Sequence, residues 1–274
     1  MEQVESGTHK RYRLGKWLLL TAVALLLLGW LLNTPPGLMG KADAVGYAVC
    51  HRIDVRSFHL GVRQIPLCAR CSGMYLGAIL GLVYQAVIGR KRAGMPPKRV
   101  VFVLGLFAVA FVLDGINSYL HLPFFPGAPS LYEPSNTLRL LTGTGLGLVI
   151  AAVLFPSFNQ TMWTDWSGKP ALSGFRSLGI MLLLALGLDL LVLTENPVIL
   201  YLLSLVSAFG VLALLTLVYG MLWLILFRSE NKIVRVQQLL VPMVAGFGTA
   251  LLQIAILDLL RYAITGTWDG FHLG

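Results

Sequence analysis

The sequence predicts an all-α integral membrane protein with about seven transmembrane helices and a cysteine- and histidine-containing segment outside the membrane between the first two. Three observations carry this prediction. The chain is 57% hydrophobic and 12% charged, whereas a soluble domain carries about 25% charged residues. Apolar runs of roughly 20 residues, the length that crosses a bilayer as a helix, recur along the chain. Most lysines and arginines fall between these runs.

The candidate spans follow one another along the whole chain. In order they are Leu14–Leu32, Ser72–Ile88, Val100–Leu120, Thr137–Phe155, Arg176–Thr194, Val198–Phe227 and Gln238–Leu260. The sixth run is longer than one crossing requires, so we expect it to tilt or to extend into the headgroups. The first apolar run, preceded by basic residues and followed by the tripeptide Ala42-Asp43-Ala44, also fits a signal peptide. Its length favours an uncleaved span.

The distribution of basic residues predicts the orientation. Fourteen of the 21 lysines and arginines lie before or at the start of the first span, or in and at the edges of the loops that follow the second, fourth and sixth spans. Because such loops stay in the cytoplasm, we expect a multi-pass protein of the cell membrane with a cytoplasmic N-terminus and an extracytoplasmic C-terminal tail, Tyr262–Gly274. These loops explain the net charge of +9, so a nucleic-acid partner is not required.

The chain divides into three predicted parts. Residues 1–44 hold the basic segment and the first span, and residues 45–155 hold the cysteine segment with three spans. Residues 156–274 begin with a cytoplasmic loop and hold three more spans.

All three cysteines lie in the segment before the second span. Cys50, His51, Cys68 and Cys71 form a Cys₃His set whose Cys-x-x-Cys spacing is typical of a tetrahedral zinc site. We expect a tight turn near Gly61, and Cys68 and Cys71 at a helix N-terminus. Adjacent Cys50 and His51 are an awkward pair for one ion. With three protein ligands, a fourth position would remain for water, the arrangement of catalytic zinc.

Two other interpretations of the cysteines stay open. Cys68 and Cys71 at the outer end of a helix would suit thiol–disulfide exchange with a quinone, with Cys50 as the partner thiol. In an oxidising compartment the same pair would form a short structural disulfide. The sequence does not decide whether the protein is an enzyme.

Polar residues of several spans concentrate in their predicted outer halves, which indicates one outward-facing pocket for an anion. Its candidate residues are Arg52, Arg56, Arg70, Asp114, Asn117, Asn136 and Arg139. Arginine presents forked donors to phosphate or carboxylate, so the expected ligand is an anionic headgroup or a lipid-linked phosphate among the membrane lipids.

Structural interpretations of these residues compete with a binding role. Arg139 with Asp114 would form a buried pair joining two spans, and the arginines outside the spans would anchor the segment to anionic lipid. Asp258 and Arg261 would form an ion pair at a helix end. A transporter, a third class of function, is disfavoured because the inner halves of the spans contain few polar residues.

Small residues predict close packing beside the cysteine segment. Glycines recur every four residues on the second span and every two residues on the fourth, at Gly73, Gly77, Gly81, Gly143, Gly145 and Gly147. Such ridges let membrane helices approach closely.

The motif also resembles a known family. The motifs concerned are Cys50-His51-Arg52, Arg56-Ser57-Phe58 and Pro66-Leu67-Cys68-Ala69-Arg70-Cys71, followed by Leu113-Asp114-Gly115 and Ser135-Asn136-Thr137-Leu138-Arg139. Together they resemble domain-of-unknown-function family 2085 of prokaryotic membrane proteins. The resemblance covers roughly residues 45–150. It implies a membrane location and groups the same residues, and it implies no activity.

Overall fold

The computed structural model describes residues 2–121 and 131–269, with side chains from Arg13 onward. It confirms the predicted all-α membrane architecture. Within the described ranges the helices are α1 Glu2–Asn33, α2 Gly37–Val49, α3 Ala69–Gly89, α4 Lys98–Leu120, α5 Asn136–Met162, α6 Phe175–Leu193, α7 Pro197–Leu226 and α8 Leu240–Thr265. Seven of these are long and apolar enough to cross a membrane, and α2 is not among them.

Most helix boundaries agree with the predicted spans to within a few residues, and three helices extend further. Helix α1 begins at Glu2, before the predicted start at Leu14. The fourth predicted span ended at Phe155, but α5 continues through Pro156 to Met162. Proline costs the helix one backbone hydrogen bond, and the side chains of Asn159 and Gln160 then bind the backbone of residues 92 and 93. Helix α8 continues past the predicted end at Leu260 to Thr265. Gly266 caps it with a φ of +70°, a conformation that glycine adopts without strain.

Helix α3 packs on α5 more extensively than any other described helix pair. A Cβ added at Gly73 or Gly77 would collide with the backbone of Leu140 or Thr144, and one at Gly143 with the backbone of Arg70. The glycine ridge predicted from the sequence therefore brings the two backbones together. This contact fixes the helix that carries Cys71 against the helix that carries Arg139.

The basic loops gather at one end of the bundle. Strands β3 (Arg92–Gly94) and β4 (Ser167–Pro170) pair in parallel, and Trp163 forms a bridge with Ile233. Lys91 makes an ion pair with Asp165 at 2.7 Å. The loops after the second, fourth and sixth spans thus lie on one side, as the alternation of crossings requires. We call this the basic end and the opposite one the cysteine end.

Helix α2 was not predicted. The sequence interpretation treated its residues as the end of the first part of the chain, and the predicted boundary at residues 44/45 falls inside it. Helix α2 contacts α7 and α8, and Tyr47 and Ala44 are fully buried. At 13 residues it is too short to cross a bilayer, so a search for spans passes over it. Its last residue leads directly into Cys50.

Candidate functional site

The cysteine segment is shaped by a short hairpin between α2 and α3. Strands β1 (His59–Leu60) and β2 (Arg63–Gln64) pair antiparallel. Gly61 makes the turn with a φ of +64°, the left-handed region that glycine favours. The tight turn predicted from the sequence is therefore present. The hairpin returns the chain toward Cys50, so that Cys68 at the start of α3 lies beside it.

The three cysteines form one group, which we call the thiol cluster. The Sγ atoms of Cys50, Cys68 and Cys71 all lie within 4.8 Å of one another. Cys68 is the N-cap of α3 and Cys71 lies in its first turn, as expected, while Cys50 follows the last residue of α2. None of the three forms a disulfide. Cys68 and Cys71 follow Cys50 by 18 and 21 residues in the sequence, and the fold brings all three thiols together.

Backbone and thiol donors surround the sulfur of Cys50. The backbone N–H groups of Arg52 and Cys68 each donate to Cys50 Sγ at 3.4 Å. Hydrogen bonds from the thiols of Cys68 and Cys71 hold the pKa of Cys50 well below its usual value. The hydrogen bond between Cys68 and Cys50 has the opposite effect on Cys68 and raises the pKa of its thiol to about 12. The sulfur of Cys50 is therefore the main hydrogen-bond acceptor of the cluster.

The geometry fits a thiolate-bound metal ion. A tetrahedral zinc site has Zn–S distances of about 2.3 Å, which places its sulfurs about 3.8 Å apart. All three sulfurs of the thiol cluster lie within 4.8 Å of one another, which is compatible with that spacing. Backbone N–H groups directed at a ligand sulfur are the usual outer support of such a site.

His51 lies outside this group. Its side chain is exposed, and it is not among the described residues whose ligand atoms gather at the cluster. Its backbone carbonyl instead accepts a hydrogen bond from Arg261 at 3.3 Å. The structure thus brings together three of the four predicted ligands. The adjacent Cys50 and His51 point to different surroundings, which agrees with the difficulty of placing both on one ion.

Arg70 connects the cysteine motif to α4. Its guanidinium forms an ion pair with Asp114, a residue that is only 1% exposed. The same Nη2 atom donates to Ser118 Oγ at 3.0 Å. Arg56 reaches Ser118 as well, with Nη2 donating to its carbonyl oxygen at 2.9 Å. Two arginines from different parts of the segment therefore meet at one serine.

Arg139 lies on α5 beside these groups. Its Nη1 donates to Asn136 Oδ1 at 2.8 Å, and Asn136 Nδ2 lies 3.3 Å from the carbonyl oxygen of Ser57. Ser135 is the N-cap of α5. The expected pair between Arg139 and Asp114 is not formed, because Asp114 takes Arg70. We call Arg56, Arg70 and Arg139 the arginine cluster.

The arginine cluster holds more positive charge and more donors than its neighbours satisfy. Asp114 is the one carboxylate that forms an ion pair with it among the described residues. The buried Nε atoms of Arg70 and Arg139 have no acceptor in the described part of the chain. Burial, followed by repulsion from Arg70, lowers the pKa of Arg56. Clustered cations with unused donors are the expected features of an anion site.

Two predicted pocket residues have other partners. Arg52 forms an ion pair with Asp43 at 2.9 Å and donates to the carbonyl oxygen of Trp268. It therefore belongs to a network on the α2–α8 side, away from Ser118. Asn117 accepts from the backbone N–H of Leu131 and donates to the carbonyl oxygen of Tyr132, both at 2.8 Å. Asn117 thus holds the chain that leads into α5.

The predicted ion pair between Asp258 and Arg261 is wrong. Arg261 Nη1 donates to the carbonyl oxygens of Tyr47 and Cys50, both at 2.6 Å. Asp258 instead accepts from Trp30 Nε1 at 3.2 Å. Spacing along one helix allowed the pair, but the partners that decide the contacts come from α1 and α2.

Sequence reasoning missed Ser118 and Tyr132, and it paired Arg261 with Asp258 instead of with the backbone around Cys50. The hydroxyl of Tyr132 lies 2.8 Å from Asp114 Oδ1 and completes the surroundings of that carboxylate. Ser118 stands four residues after Asp114 on the same helix, and that helical spacing could have revealed it. Nothing in the sequence places Tyr132 at the site. Of the C-terminal tail, Phe271 and His272 lie outside the described residues.

The fold and this site define a helical multi-pass membrane protein with a cysteine cluster at one end. Residues 50–153 match the family model described as a predicted membrane protein, domain of unknown function 2085. This confirms the resemblance seen in the motif and covers the cysteine segment and the helices α3, α4 and most of α5.

Curated relatives match the chain at modest identity. An uncharacterised protein of Methanocaldococcus jannaschii is 26% identical over 120 residues, which are 44% of this chain and 70% of that protein. An uncharacterised protein of Methanothermobacter thermautotrophicus is 29% identical over 104 residues, covering 37% of this chain and 82% of that protein. No solved structure matches the chain significantly.

Proposed function

We propose that this protein is a zinc-binding protein of the cell membrane whose arginine cluster binds an anionic, lipid-linked group at the outer face. The observation that carries the proposal is the convergence of the three Sγ atoms within 4.8 Å of one another. Cysteine sulfur is a preferred ligand of zinc, and three thiolates leave one coordination position for a ligand that is not cysteine. His51 is not required for this assignment.

The orientation follows from the charge distribution and is part of the proposal. The N-terminal segment and the loops at the basic end together hold 14 of the 21 lysines and arginines, which favours a cytoplasmic location for that end. The cysteine end would then face the outside. Seven spans require the two termini to lie on opposite sides, in agreement with a cytoplasmic N-terminus.

The arginine cluster supports an anionic ligand next to the metal. Arg70 lies between Cys68 and Cys71 in sequence, so the two sites share the first turn of α3. The unused Nε donors of Arg70 and Arg139 are buried, and a buried donor without an acceptor is unfavourable. A phosphate oxygen would satisfy such donors and offset the positive charge.

Metal analysis of the purified full-length protein tests the zinc assignment. We expect about one zinc per chain in the wild type and none in the variant Cys68→Ser/Cys71→Ser, with both preparations made without added metal. A wild type that carries no zinc, or a double variant that retains it, would overturn the assignment. Circular dichroism of both proteins establishes whether they are equally helical.

The alternative, a thiol–disulfide oxidoreductase coupled to a quinone, gives a different result in the same material. The single variant Cys68→Ser would trap a mixed disulfide on one remaining thiol, visible as a higher-mass species on non-reducing gels, and the wild type would purify without metal. The zinc proposal expects no such species. The two results are mutually exclusive, so one preparation distinguishes them.

A further inference from the structure

A cavity of about 640 Å³ lies between α1 and α8, on the side of the bundle away from the arginine cluster. Its wall combines a carboxylate and aromatic rings near the cysteine end with aliphatic side chains farther into the bundle. The residues that matter are Leu25, Trp30, Asp258, Leu259, Tyr262 and Trp268. The span in α1 is covered by the rest of the protein over only 6% of its residues. The cavity therefore lies at the periphery, where lipid reaches it.

Asp258 is the polar group of this cavity. It is only 3% exposed, and Trp30 Nε1 binds one of its two carboxylate oxygens, Oδ2. The other oxygen, Oδ1, is buried without a hydrogen-bond donor in the described part of the chain. A buried carboxylate is unfavourable unless both oxygens have partners. A residue that lines the cavity thus has one carboxylate oxygen for which the described part of the chain supplies no donor.

Arg261, the arginine nearest to Asp258 on α8, forms its hydrogen bonds with other partners. Arg261 stands three residues after Asp258 on α8, yet its Nη1 donates to the carbonyl oxygens of Tyr47 and Cys50. No ion pair involving Asp258 forms among residues 13–121 and 131–269. A positively charged donor is therefore the group that would complement this carboxylate best, since charge-assisted hydrogen bonds are stronger than neutral ones.

We propose that the cavity binds a lipid whose headgroup carries a primary ammonium, with the ammonium donating to Asp258 and an acyl chain lying along Leu25 and Leu259. This site is separate from the thiol cluster and the arginine cluster, so it does not depend on the function proposed for them. We expect an amphiphilic ligand because the lining of the cavity is polar at one end and aliphatic along its length.

Native mass spectrometry of the delipidated full-length protein tests this site. The probes are phosphatidylethanolamine, phosphatidylcholine and phosphatidylglycerol with identical acyl chains. Phosphatidylethanolamine donates N–H groups, phosphatidylcholine carries a cation without N–H, and phosphatidylglycerol offers hydroxyl groups without a cation. We expect the first equivalent of phosphatidylethanolamine to bind about tenfold more tightly than either of the others.

The variant Asp258→Asn should lose this preference, because the amide has nearly the same shape but no charge. Asp189→Asn is the matched control: Asp189 is also a buried carboxylate, but it accepts from Thr144 Oγ1 at 2.6 Å and does not line the cavity. That variant should keep the preference. Equal binding of the three lipids to the wild type, or an unchanged preference in Asp258→Asn, would overturn the proposal. The wild-type comparison stands even where a variant fails to fold.

Discussion

Arg70 of α3 forms an ion pair with Asp114 of α4, and this pair joins the cysteine motif to the transmembrane bundle. Asp114 is 1% exposed and the side chain of Arg70 is 19% exposed, so the pair is largely removed from water. Tyr132 and Thr142 also approach the carboxylate. The position of Cys68 and Cys71 therefore depends on a carboxylate more than forty residues away in sequence.

Removing the charge of Asp114 should destabilise the protein strongly. Asp114→Asn leaves Arg70 buried without its counter-charge, which costs about 3–5 kcal/mol in comparable sites. We expect a large fall in the midpoint of thermal unfolding in detergent. Asp165→Asn is the control, because Asp165 pairs with Lys91 but is 63% exposed, and exposed pairs contribute little. Equal shifts in both variants would contradict this account of the Arg70–Asp114 pair.

The close approach of α3 and α5 predicts a position-dependent effect of adding one methyl group. A Cβ at Gly77 would lie 2.5 Å from the carbonyl oxygen of Thr144, and such overpacking costs about 1–3 kcal/mol. Gly77→Ala should therefore lower the thermal midpoint. Gly105→Ala on α4 should leave it unchanged or raise it slightly, since nothing lies within 4 Å of that Cβ. A Gly77→Ala protein as stable as the wild type would show that the helices separate easily.

Helix spans were predictable because hydrophobic length is a local property of the sequence. The glycine ridge of α3 was predictable for the same reason, since its spacing alone places Gly73 and Gly77 on one face. Helix α2 was not, because 13 residues fall below the length of a span. Its burial against α7 and α8 depends on contacts that only the tertiary structure reveals.

The site divides in the same way. The Cys-x-x-Cys spacing predicted that Cys68 and Cys71 would share a helix start, and it could not place His51, whose direction is set by the backbone after α2. Pairing of charges was also beyond the sequence. Arg139 was a reasonable partner for Asp114 on sequence grounds. Asp114 pairs with Arg70 instead, because α3 and α4 both pack on α5 and their side chains meet there.

Single substitutions should separate the proposed zinc ligands from their neighbour His51. Cys50→Ser removes one of three convergent sulfurs and should lower zinc content to below about one tenth of the wild-type value, because serine oxygen is a poor zinc ligand at neutral pH. His51→Ala should retain about one zinc per chain. Metal analysis of the purified proteins provides the measurement. Loss of zinc in His51→Ala would restore histidine to the ligand set and contradict the arrangement described for the cluster.

Zinc removal should also lower stability, because the ion would connect the end of α2 with the start of α3. Treatment with a strong zinc chelator is expected to lower the thermal midpoint of the wild type and to leave that of Cys68→Ser/Cys71→Ser unchanged. Zinc binding displaces thiol protons, so the chelator should act more readily as the pH falls. If the chelator leaves the thermal midpoint of the wild type unchanged, zinc does not stabilise the folded protein and this prediction is wrong.

The arginine cluster should recognise phosphate on an amphiphile through its charge and its forked donors. Arg139 is 7% exposed and contributes an unused Nε donor, so Arg139→Gln should weaken the binding of dodecyl phosphate about tenfold or more, as expected for a hydrogen bond to a charged group. Arg139→Lys keeps the charge but not the fork and should recover part of that loss. Arg63→Gln is the control, because Arg63 is half exposed and pairs with Asp43. Titration calorimetry in detergent measures all four proteins, and equal affinities for Arg139→Gln and Arg63→Gln would place the phosphate elsewhere.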